Sequence, residues 1–124
     1  MLSPATWKVI HLFAVLFVFL CLGGLSLHAM NGGTRSSNTA HRLVVISYSL
    51  GLVLILVAGF GWLGASDAMS GGLPGWAGAK LAIWLLVGGM LALPYRRPRL
   101  ARLLWIAAPL LGAAAAYLAT TKPF

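Results

Sequence analysis

The chain has 124 residues, 60% of them hydrophobic, and its nine Lys and Arg stand against a single acid, Asp67, for a net charge of +8. A mean hydropathy of +0.94 lies far outside soluble globular usage and leaves no room for a water-soluble catalytic domain. The basic residues sit at the ends of apolar runs and build no aromatic-interleaved soluble face, so their partners are lipid headgroups and not nucleic acid.

The first apolar run is Trp7–Leu27. A helix rises about 1.5 Å per residue and the hydrocarbon core is roughly 30 Å thick, so about 20 apolar residues make a span. The run exceeds the roughly 7–15 residues of a signal-peptide core, and no A-x-A-like site follows it, so it reads as a permanent helix over about 7–28. Cys21, the only cysteine, lies inside it and has no intramolecular disulfide partner.

Asn31-Gly32-Gly33 through Ser36-Ser37-Asn38 breaks this helix from the second run, Leu43–Leu63, predicted helical over 43–64. Gly64 to Gly75, with Gly71-Gly72 and Pro74, precedes the third run, Trp76–Leu93, predicted over 76–94. Pro94 to Pro98 separates it from Leu100–Thr120, predicted over 100–120, where Pro109 should kink the helix near Trp105. Short connectors make neighbours antiparallel, and the bilayer core demands helices. The predicted fold is all-α, one domain over 1–124, an integral membrane four-helix up-down-up-down bundle.

Lipid tails are as apolar as Leu, so small residues must supply the packing. Gly88-Gly89 and Gly112 with Ala113–Ala116 are the predicted tight crossings. Side A, holding both termini, carries Lys8, Lys80 and Lys122, whereas side B carries Arg35, Arg42, Arg96, Arg97, Arg99 and Arg102. The positive-inside rule then puts both termini outside the cytoplasm, in the periplasm of a bacterial inner-membrane protein. The lipid bilayer is the first partner, and a membrane protein or a second copy of the chain is the next.

Ionisable groups inside a span are costly to insert and are functional candidates for that reason. His11 is one turn beyond Trp7 and Lys80 one turn beyond Trp76, so both lie roughly 6 Å below the same surface by helical rise. They can face one ligand, with His11 the metal-ligating candidate. The plainer alternatives are a backbone hydrogen bond for His11, and for Lys80 a path to the headgroups or a pairing with Asp67. On side B, His28 and His41 flank the first connector, with Cys21 and Met30 nearby; these donors suit copper, but a seven-residue Cys–His spacing separates them by about two turns. The hydroxyl of Tyr48 either bonds a neighbouring helix or contacts a cofactor. Paired carboxylates, a P-loop, a Ser-His-Asp set and zinc spacing are all missing.

Trp7-Lys8-Val9-Ile10-His11-Leu12 and Gly75-Trp76-Ala77-Gly78-Ala79-Lys80-Leu81-Ala82 resemble the first-helix histidine and G-W-x-x-x-K-L segments of HemJ-type protoporphyrinogen oxidases. Over nearly its full length the chain also resembles the SirB family of small four-helix membrane proteins. The basic Tyr95-Arg96-Arg97 connector and the terminal Ala119-Thr120-Thr121-Lys122-Pro123 carry that likeness. The HemJ-like segments imply haem b, with His11 and Lys80 as the residues that bind it. Tyr48 stands where related four-helix sequences have a histidine in the early second helix. Two readings follow: a haem- or porphyrin-binding membrane protein with a redox-linked role, and a non-enzymatic scaffold or assembly protein of the SirB-like type.

Overall fold

The computed structural model describes residues 2–67 and 69–123. They form α1 (Pro4–Met30), α2 (His41–Ala65), α3 (Gly75–Met90), the single turn α4 (Leu93–Arg96) and α5 (Pro98–Thr121), with no strand among the described residues. By length and composition α1, α2 and α5 can each cross a membrane, and α3 is a shorter apolar helix of 16 residues.

Local chemistry sets the helix limits. Ser3 caps α1 by accepting the Thr6 N–H at 3.2 Å, and Pro4 occupies the first helical position, where no N–H is needed. The far end closes in a Schellman motif. Gly32, at φ +83°, donates to the Ala29 carbonyl at 3.1 Å, and Gly33 donates to the His28 carbonyl at 2.8 Å. Pro98 starts α5. Pro109 is accommodated inside this helix, which continues to Thr121.

The third helix ends earlier than the apolar run suggests, at Met90 and not near residue 94. Gly88-Gly89 weakens the helix, and the Pro94 ring would collide with the Met90 carbonyl while offering it no N–H. The last four carbonyls of a helix lack helical donors, which is costly where water is absent. Gly89 is served by the Ala92 N–H at 3.3 Å. Val87 is served by the Tyr48 hydroxyl, donated across from α2. Tyr48 is thus a tie between helices, almost wholly buried. Tyr48→Phe leaves that carbonyl unpaired and should destabilise the protein by about 1–3 kcal/mol in detergent melts, without moving ligand affinity; an unchanged melt would show that the bond does not carry α3.

The centre of the assembly is α1. It packs most extensively on α2 and also meets α5 and α4, whereas α3 packs on α5 and touches α2 at only a few points. Its buried stripe, Ala14, Val18, Cys21, Leu22, Leu25, Ser26 and Ala29, recurs every three or four residues, as one helix face must. The outer surface carries the large apolar side chains, among them Leu16, Leu20, Leu50, Leu85 and Leu110. The buried positions include Ala14, Ala58, Ala77, Ala101 and Ala108. Alanines among the buried positions, beside Val18, Leu22, Leu25 and Tyr48, let the helices approach, and the large apolar side chains outside suit lipid as the solvent.

The predicted crossings need correction in part: a Cβ at Gly112 would stand 3.3 Å from Phe19 Cζ of α1 and one at Gly88 3.7 Å from Leu52 Cδ1 of α2, so those two positions do meet a neighbouring helix. Gly89 and Ala113 are exposed, and a Cβ at Gly89 would meet nothing within 4 Å. The closest helix-on-helix approaches are on the α1–α2 face. A Cβ at Gly51 would come within 2.6 Å of Val18 Cγ2, and one at Gly61 within 2.5 Å of the Trp7 ring. The reason is the layout: α3 stands off from α1 and touches α2 at only a few points, and Gly89 has no neighbouring helix to receive.

Candidate functional site

The standing-off of α3 leaves a cavity of about 560 Å³ lined from α1, α2, α3 and α5. This is within the roughly 300–1,000 Å³ typical of small-molecule sites. Its walls are apolar and aromatic, with Phe19, Phe60, Trp76 and Trp84 among them. At mid-depth Trp84 donates its indole N–H to the Leu52 carbonyl at 2.9 Å, fastening α3 to α2. Toward the side of the termini, Leu63, Trp76 and Ala77 pack together with Met69 and Leu118.

His11 and Lys80 both line this cavity, from α1 and α3 respectively. The His11 ring lies against α2, with Nδ1 3.0 Å from the Ile55 carbonyl oxygen. A carbonyl only accepts, so Nδ1 carries the proton and Nε2 keeps its lone pair in the neutral ring. Gly59, one turn beyond Ile55, makes the seat: a Cβ there would stand 3.4 Å from His11 Cε1. The backbone bond that is one plain reading of a membrane histidine is therefore present. It is also the contact that fixes a metal-ligating imidazole in one tautomer.

No family model, curated protein or solved structure matches this chain. The site rests on its own geometry. Lys8 and Lys122 line the cavity together with Lys80, and Asp67, exposed in the connector, does not. Lys8 Nζ lies 5.7 Å from the centre of the Trp62 ring and Lys122 Nζ lies 5.3 Å from that of Trp76. The sequence pattern does not mark Ile55, Gly59, Lys8 and Lys122 as members of the site. A glycine four residues after a helical carbonyl is a weak signal, and the terminal lysines look like ordinary headgroup anchors.

Tyr48 is placed away from the cavity wall, its hydroxyl committed to Val87. The side B histidines gather around Tyr95 on α4. The Tyr95 hydroxyl accepts from Asn38 Nδ2 at 2.9 Å and lies 2.8 Å from His28 Nδ1. The His28 and His41 rings each lie 5.7 Å, centroid to centroid, from the Tyr95 ring. Cys21 is elsewhere, in the core with Val18, Leu22, Tyr48, Val87 and Ala108. Among the described residues no three His, Cys, Asp or Glu side chains are grouped to hold a metal ion by themselves. A haem iron, which brings four nitrogens of its own, needs only axial ligands, and one imidazole suffices.

Proposed function

We propose that the chain is a four-helix up-down-up-down protein of the bacterial inner membrane that binds haem b, or a closely related porphyrin, in the cavity beside His11. The observation that carries this reading is the His11 seat: Nδ1 bonded to the Ile55 carbonyl, Nε2 unspent, in an apolar cavity. The residues there suit the group. His11 Nε2 would be the axial ligand, and Lys80 the opposite ligand or the partner of a propionate. The aromatic and aliphatic walls would shed water from the macrocycle, and the Ile55 carbonyl would hold the imidazole against rotation. Bound haem supplies one-electron chemistry, with its potential set by axial ligation and burial. The likeness of the His11 and Lys80 segments to HemJ-type proteins points the same way.

The test is an absorption spectrum of the protein purified in mild detergent from haem-replete cells. A Soret band at one haem per chain is the expected result. A stable, colourless protein would favour the SirB-like scaffold reading. The outer face of α5 supports that alternative, since Ala113, Ala114 and Ala116 are exposed there and would let a partner helix approach closely.

The six Arg of side B against the three Lys of side A support a topology with both termini in the periplasm. In a Cys21→Ala background, an impermeant thiol reagent should label a cysteine at exposed position 70 in intact cells and spare one at exposed position 36. The reverse pattern would invert the topology.

A further inference from the structure

We propose that Lys8 and Lys122 form a clamp at the cavity mouth for a ligand that carries two carboxylates at one end of a rigid apolar body. Each ammonium is stationed over an indole face, Lys8 at Trp62 and Lys122 at Trp76, and all four residues line the cavity. A ring face holds a cation through its quadrupole but supplies no counter-charge, so the N–H groups stay available to an anion.

The two points are anchored independently. Lys8 is on α1 against a tryptophan of α2, and Lys122 follows α5 against a tryptophan of α3. The Lys122 backbone is fixed as well, at φ 47° with its N–H on the Leu118 carbonyl at 2.9 Å. No acidic side chain lines the cavity among the described residues, so these charges have no counter-ion within its walls. Two cations rooted in different helix pairs around one opening match two separate carboxylates better than a single headgroup phosphate, and the apolar walls beyond them receive the body of the ligand. The clamp rests on the cavity being the ligand site proposed above, but not on the ligand carrying iron.

The test uses the full chain in an uncharged maltoside detergent. Metal-free protoporphyrin IX, a dicarboxylic acid, is compared with its dimethyl ester by quenching of tryptophan fluorescence. The wild type should bind the diacid about ten-fold more tightly than the diester, the scale expected of two ion pairs at a membrane surface. In Lys8→Gln/Lys122→Gln the ratio should fall to near one through loss of diacid affinity, with diester binding and helical content unchanged. Lys8→Arg/Lys122→Arg should keep the preference, and each single Gln variant should lose about three-fold.

Equal binding of diacid and diester by the wild type would overturn the clamp, as would a preference that survives in the double Gln variant. Loss of the preference on adding phosphatidylglycerol, but not phosphatidylcholine, would give the site to a lipid phosphate and overturn the dicarboxylate assignment. His11→Ala should retain the preference, because these probes hold no metal. A haem spectrum untouched by His11→Ala would sink iron ligation while leaving the clamp standing.

Discussion

In protein loaded with haem, His11→Ala should abolish the Soret band, Lys80→Ala should weaken or shift it, and His28→Ala and His41→Ala should leave it intact. Among the described residues His11 is the only histidine on the cavity wall, and on the haem reading its loss would remove the axial ligand itself. The affinity penalty should therefore exceed the roughly 10–100-fold typical of losing an outer-shell partner. Lys80 faces the same space from α3, so its truncation changes the far side of the ligand and leaves the iron–imidazole bond possible. The side B histidines lie around Tyr95 at the opposite end of α1, where His28 Nδ1 is 2.8 Å from the Tyr95 hydroxyl and the His41 ring packs against the Tyr95 ring. A band that survives His11→Ala and disappears with His28→Ala would move the site to that end of the bundle and remove His11 as the axial ligand.

Gly51→Leu should be the most destabilising glycine substitution in the α1–α2 face. Even a single Cβ would stand 2.6 Å from Val18 Cγ2 and 3.7 Å from the Ala14 carbonyl oxygen. Val18 is fully buried and β-branched, so it has few rotamers into which to retreat. Overpacking of this kind costs typically about 1–3 kcal/mol, and a branched side chain that must separate two helices along their main contact belongs at the upper end. Gly89→Leu is the control. It projects into open space and gains about 1 kcal/mol of helix propensity, so its melt in detergent should match or exceed wild type. Equal melting of the two variants would mean that α1 and α2 are not packed through Gly51.

Much of the helical content could be read from residue types because run length and turn chemistry are local. The ends of α1 follow from Ser3-Pro4 and Asn31-Gly32-Gly33, within a few residues of the apolar run itself. The end of α3 was less legible, since Leu91 and Leu93 continue the apolar run and only the backbone consequences of Gly88-Gly89 and Pro94 stop the helix. Both His11 and Lys80 line the cavity, and that they could face one space followed from helical rise. What seats His11 did not, because the Ile55 carbonyl is a backbone atom on another helix. Helix adjacency was equally hidden: glycines are present in α1, α2, α3 and α5, and composition alone does not reveal which ones meet a neighbour. The same ambiguity concealed Tyr48, a hydroxyl whose partner is a carbonyl freed only because α3 is short.

That shortness also shapes the surrounding lipid. The 16 residues of α3 give about 24 Å of helix, some 6 Å less than the roughly 30 Å of a typical hydrocarbon core. Beside α1, α2 and α5, each long enough to cross, the annulus of acyl chains must therefore be uneven, compressed along the α3 flank and relaxed elsewhere. Compression costs fractions of a kcal/mol per Å, on the order of 1–3 kcal/mol for this shortfall. Thin bilayers lower that cost, as does pairing the α3 flank with a similarly short helix. Acyl-chain length in a reconstituted membrane thus becomes a control on where this protein resides and which neighbours it keeps.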